Sequence, residues 1–173
     1  MNKLLGVFTA ILVLAGCQPP KGTETGNPSM RVQFSAFAQS TQSVSLCIHQ
    51  IRFKSVNSEG ETGENANVAV GVVTMSPSGT TVADTESVRP GTYRRVDIMV
   101  KDSCGNGKSI SVTNGSGTFS SNKPLILRFI GEFEFSILAQ TLDLEVGPFT
   151  AFFDTVTSDA QLENGVETVE GQF

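Results

Sequence analysis

The sequence predicts an all-β domain, an antiparallel β-sandwich of about seven to nine strands with one short helix near the C-terminus. Three observations lead there. Beyond residue 30, apolar and polar residues alternate, the period-two signature of strands with one buried face. The alternating segments are short and separated by turn-forming sequence such as Pro90-Gly91 and Gly105-Asn106-Gly107. Helical periodicity is nearly absent. A closed β-barrel is the alternative arrangement of the same strands. With 12 Phe, one Tyr and no Trp, phenylalanine carries the aromatic burial of either core.

The elements follow in order. Val32, Phe34 and Ala36 open the alternation, and Val44, Leu46 and Ile48 continue it with Ser45 and Cys47 between them. The phase then slips, because Ile51 and Phe53 are apolar while Arg52 and Lys54 are not. An unbulged strand would turn half of that set to the wrong face, so a β-bulge is expected at His49-Gln50. Residues 57–67 are polar and glycine-bearing and read as a loop. Val68, Val70 and Val72 resume the pattern; Val96, Ile98 and Val100 follow the Pro90-Gly91 turn; Ile110 and Val112 form a short strand. The clearest strand spans 125–137, with Leu125, Leu127, Phe129, Phe133, Phe135 and Ile137 in one parity. Leu142, Leu144 and Val146 alternate with Asp143 and Glu145, and are expected to pair with that strand as a hairpin. Phe149, Phe152 and Phe153 complete the apolar inventory. Ser158-Asp159-Ala160-Gln161 has the form of a capping box opening a short helix.

Ahead of this domain stands a different kind of sequence. Met1-Asn2-Lys3 is followed by an uncharged, apolar run over 4–16. A bilayer-spanning helix needs about 20 apolar residues, so the run fits the core of a secretory signal peptide instead. It ends in Leu14-Ala15-Gly16-Cys17, which resembles the lipobox of bacterial lipoproteins. That resemblance implies cleavage between Gly16 and Cys17, a diacylglycerol on the Cys17 thiol, and attachment to a membrane. Buried acyl CH₂ groups contribute about 0.8 kcal/mol each, so two or more chains anchor almost permanently. Gln18 in place of Asp favours the outer membrane. Residues 18–29 carry almost no apolar side chain and read as a tether reaching about 40 Å when extended. The expected organisation is a signal peptide over 1–16, a lipidated Cys17 and tether over 17–29, and one β-domain over 30–173.

Cysteine usage fits this scheme. Of three Cys, Cys17 is taken by lipid, leaving Cys47 and Cys104 as the single intramolecular pair. In an oxidising compartment they are expected to form a disulfide. The formal net charge of −5 speaks against nucleic-acid binding, which requires a basic footprint.

Catalytic signals are sparse. His49 is the only histidine and reads as a strand residue rather than a general base. Glu132 and Glu134 share a strand face about 7 Å apart, a spacing compatible with glycoside hydrolysis but ordinary for a solvated face. Gly105-Asn106-Gly107-Lys108-Ser109 lacks the first glycine of a phosphate loop and reads as a hairpin turn. The acidic loop 59–64 lacks calcium-loop spacing. No metal or cofactor is expected.

Two blocks carry a further resemblance. Val44-Ser45-Leu46-Cys47-Ile48-His49-Gln50-Ile51-Arg52-Phe53 and Arg89-Pro90-Gly91-Thr92-Tyr93-Arg94-Arg95-Val96-Asp97-Ile98-Met99-Val100 resemble a bacterial family of envelope lipoproteins of unknown function with a prealbumin-like, or carboxypeptidase-regulatory-like, sandwich. The segment 22–28 resembles the tether motif of such lipoproteins. The family implies no catalytic residues. Tyr93 is expected to bond nearby backbone in the manner of a tyrosine corner. The functional expectation is a lipid-anchored, non-catalytic envelope module, binding or structural, with the membrane and a protein or glycan as partners. The alternatives are a surface adhesion or glycan-binding module and a hydrolase with an unrecognised site.

Overall fold

A computed structural model of the chain describes residues 29–38, 43–57, 60–66, 71–85, 88–136 and 138–173. Gly16, Cys17 and the tether up to residue 28 lie outside these residues, as do Val68, Val70 and Ile137.

The elements are β1 (Met30–Phe34), β2 (Ser43–Asn57), β3 (Gly60–Ala66), β4 (Gly71–Thr74), β5 (Thr80–Thr85), β6 (Gly91–Val100), β7 (Ile110–Asn114), β8 (Gly117–Ser121), β9 (Leu125–Phe135), β10 (Gln140–Leu144), α1 (Gly147–Thr155), α2 (Asp159–Gly165), a 3₁₀ turn (Val166–Thr168) and β11 (Glu170–Gln172). They form a sandwich of two sheets, not a closed barrel. The large sheet runs β11-β9-β6-β2-β7-β8 with β3 and β4 also on β2, and the small sheet runs β10-β1-β5. Most ladders are antiparallel, while β1–β10 and β9–β11 are parallel.

The long strand β2 organises the large sheet. Its pairing with β6 shifts register between Ile48 and Gln50, which is the bulge expected at His49. The slip lets Leu46 and Ile48 on one side of it, and Ile51 and Phe53 on the other, all reach the core. β6 and β7 pair in succession with β2, through Val100 opposite Ile48 and Ile110 opposite Leu46. Residues 101–109 therefore loop out between two strands that share one ladder. Gly105-Asn106-Gly107 is thus part of an excursion, not the hairpin turn expected from its composition. Its glycines sit at φ +81° and +68°, left-handed conformations that disfavour other residues. Cys47 spans the gap: its N–H donates to Ser109 O at 2.8 Å and its carbonyl accepts from Lys101 N at 3.0 Å. The expected disulfide is formed, Cys47 to Cys104 with Cα atoms 5.8 Å apart, and it ties the excursion to the strand it leaves.

Three further expectations are corrected. Residues 60–66, read as loop, form β3, antiparallel to the distal half of β2 from Ile51↔Ala66 to Asn57↔Gly60. Backbone pairing, which polar side chains do not prevent, decides that segment. β10 does not form a hairpin with β9. Four connecting residues carry the chain across the sandwich, where β10 pairs with β1 from Met30↔Gln140 to Phe34↔Leu144. The far edge of β9 is filled by β11, and Leu142 and Leu144 still reach the core, from the opposite sheet. In β4, Val72 is 50 % exposed while Val73 packs on the core, the reverse of the expected phase.

The core joins both sheets through phenylalanine. Phe34 of β1 stacks on Phe129 of β9 at 6.3 Å, and Phe129 meets Phe149 of α1 at 5.2 Å. Phe149, Phe152 and Phe153 have helical spacing, and α1 buries the first and third. Pro148 lies in its first turn, where a missing N–H costs nothing. Tyr93 is buried edge-on to Phe53, and its hydroxyl donates to Arg89 O at 2.7 Å, the expected corner.

The helix expected after Ser158 is α2. Ser158 Oγ accepts from Gln161 N at 3.1 Å, and Gln161 Oε1 accepts from Thr157 N. Its Glu163 accepts from Lys123 and Ser121, and these hydrogen bonds, Lys123's first, hold the carboxyl below the usual carboxylate range against the opposing effect of burial. The C-terminus of α1 is closed by Asn114 of β7. Its buried Nδ2 donates to Phe153 O at 2.7 Å and to Val156 O at 2.8 Å. Replacing Asn114 with Ala leaves helix-end carbonyls buried without this donor, so a loss of about 1–3 kcal/mol is expected, read as a lower urea midpoint at unchanged m-value.

Candidate functional site

A cleft of about 760 Å³ opens beside α1, within the range of small-molecule and peptide-segment sites. Three pieces of chain build it. Residues 35–38 continue from β1 but leave the ladder, so Ala36, expected to extend the alternation, is exposed and lines the cleft. This segment is fixed by Ser35 N donating to Leu144 O and Phe37 N donating to Pro77 O. The second wall is the end of β10, where Asp143 and Glu145 point to the side opposite the buried Leu142 and Leu144. The third is α1, which contributes Gly147, Thr150, Ala151 and Asp154. Phe173 borders the opening.

Its chemistry is acidic and partly apolar. Asp143, Glu145 and Asp154 are the charged residues that line it, and neither lysine nor arginine does so among the described residues. Asp143 Oδ1 accepts from Gln33 Nε2 at 2.6 Å, which fixes its rotamer. Glu145 is anchored by its backbone, N–H to Gln172 O at 2.8 Å. Phe37, Phe173 and the alanines supply apolar surface. The cleft thus suits a ligand with a positive charge on an apolar stem, such as a basic peptide segment.

The residues weighed from sequence lie elsewhere. His49 is exposed on the bulge. Glu132 and Glu134 are exposed on β9, and Glu132 pairs with Arg94 at 3.0 Å with both side chains more than half exposed. They face solvent rather than a cleft. The side chains of 59–64 fall outside the described residues. Among the described residues no three His, Cys, Asp or Glu groups gather as they would around a metal ion. The cleft residues escaped the sequence reading because Asp143 and Glu145 looked like the solvent face of a hairpin. The helical spacing of Phe149, Phe152 and Phe153 was the signal that could have placed a helix beside them.

Comparison with known proteins finds no matching family, no matching curated protein and no matching solved structure.

Proposed function

We propose that the chain is a lipid-anchored, non-catalytic binding module of a bacterial envelope, held at a membrane through Cys17 and receiving a positively charged partner segment in the cleft beside α1. The observation that carries this reading is the division of the cysteines. Cys17 closes an apolar leader with lipobox residues, while Cys47 and Cys104 are joined to each other, a bond that persists in exported proteins. The cleft supports a binding role through its complementarity, three carboxylates beside apolar surface from Phe173 and the alanines, which suits a cationic segment.

The test has two arms. Cells expressing the full chain should incorporate labelled palmitate, and Cys17→Ser should abolish the label and release the protein from membranes. A photo-crosslinking amino acid at Ala151 should give a discrete adduct that one at Thr118 does not. A Cys17→Ser chain that keeps its label, or adducts equal at the two positions, contradicts the reading.

A further inference from the structure

The sequence holds three Asn-Gly pairs, Asn106-Gly107, Asn114-Gly115 and Asn164-Gly165. In such a pair the residue after Asn has no side chain, so its backbone nitrogen can turn onto the Asn carboxamide carbon with little hindrance. The fold places the three pairs in different surroundings. Asn106-Gly107 lies in the 101–109 excursion, outside every strand and helix, and both residues are exposed. Asn106 Oδ1 accepts from Lys108 N at 3.1 Å. That turn holds the carboxamide close to the peptide group it would meet and draws electron density from its carbon. Gly107 N donates no hydrogen bond among the described residues, so none is lost when it attacks. A Cβ on Gly107 would meet nothing within 4 Å, so the peptide group has room to turn.

The other two pairs are held. Asn114 makes the same local turn, its Oδ1 accepting from Ser116 N at 2.8 Å. It is buried, however, and its Nδ2 donates to Phe153 O and Val156 O. The nitrogen that would have to leave is pinned between two carbonyls, which have no proton to give it. Asn164 is exposed but belongs to α2. There the N–H of Gly165 is committed to the helical ladder. Gly165 is also pressed against the Phe152 ring, where a Cβ would come to 2.4 Å, so its peptide group has no room to turn.

We propose that Asn106 is a site of spontaneous deamidation, a modification that the fold permits there and blocks at Asn114 and Asn164. Gly107 N gives its proton to solvent base and bonds to Asn106 Cγ. The Cγ–Nδ2 bond breaks, the departing nitrogen takes a proton from water, and ammonia leaves. Water then opens the cyclic imide at either carbonyl, giving Asp or isoaspartate at position 106 with no oxidation or reduction. Either product adds a negative charge next to Lys108, and isoaspartate reroutes the backbone through Cβ. The altered segment is the one that Cys104 ties to β2. The site uses none of the cleft residues and does not depend on lipid at Cys17.

The full chain is incubated in mild non-ionic detergent, at mildly alkaline pH, in water enriched in heavy oxygen. Protease digestion and tandem mass spectrometry then read each Asn-Gly pair. Heavy oxygen should enter at position 106, as a mixture of Asp and isoaspartate, and faster as pH is raised. Asn114 and Asn164 should convert at least about tenfold more slowly, because they react only through local opening. In urea the three pairs should convert at similar rates. Asn106→Gln, whose longer side chain closes the ring poorly, should remove the acidic species seen on isoelectric focusing, with a circular dichroism melt like that of the parent. Conversion at position 106 no faster than at 114 and 164 in the folded chain overturns the proposal. So does a persistent lag of Asn114 and Asn164 in urea, which would place the selectivity in local sequence rather than in the fold.

Discussion

Phe129→Ala is expected to lower the stability of the domain by about 3–5 kcal/mol, the cost of deleting a buried aromatic ring and leaving a cavity. Phe129 is fully buried and lies where three parts of the fold meet. It touches Phe34 of the small sheet and Phe149 of α1, and its ring covers Gly171 of β11 so closely that a Cβ there would come within 2.5 Å of it. The sheets cannot close over the lost volume without moving α1 or β11, so little of the cavity term is recovered. Urea unfolding followed by far-ultraviolet circular dichroism measures the loss. A loss under about 1 kcal/mol would show that the junction repacks, contrary to a close-packed core.

Removing the disulfide by replacing both Cys47 and Cys104 with serine should cost about 4 kcal/mol in the chain-entropy model, given cysteines 57 positions apart. The effect should differ in kind from that of Phe129→Ala. β2, β6 and β7 keep their ladders, while the 101–109 excursion loses its tie. Hydrogen exchange should therefore rise first at 101–109, with the sheet amides following only through the lowered global stability. Dithiothreitol should bring the parent to the urea midpoint of the double-serine chain and leave that chain unchanged. Equal midpoints for the oxidised parent and the double-serine chain would remove the disulfide from the account of stability.

The strands that carry their own apolar alternation were legible in the sequence. β2 with its bulge, β6, β7 and β9 follow from Val44, Leu46, Ile48, Ile51, Phe53, Val96, Ile98, Ile110, Val112 and the 125–135 parity. β5, β8 and β11 carry little alternation. Thr80-Thr81-Val82-Ala83-Asp84-Thr85 contains one large apolar residue, and β11 is Glu170-Gly171-Gln172. These become strands because neighbouring strands offer unpaired backbone, a tertiary cause without a local signature. The partner of β10 was misread for a related reason. Alternation shows which residues face a core, but not from which sheet, and Leu142 and Leu144 satisfy either. Of the candidate sites, the disulfide was legible by counting cysteines. The cleft was not, because Asp143 and Glu145 read as the solvent face of a hairpin and the facing wall, residues 35–38, comes from more than a hundred positions earlier in the chain.

The pairing of β1 with β10 also sets an order of events. A chain emerging N-terminus first presents Met30, Val32 and Phe34 early, and β5 can join β1 after some fifty residues, at Met30↔Thr85. The other side of β1 waits until residue 140 arrives, and the core between the sheets waits for Phe149 of α1. The first strand laid down is thus among the last to be enclosed. The small sheet and the core between the sheets are closed by residues 140–173, after every strand of the large sheet except β11 has been made.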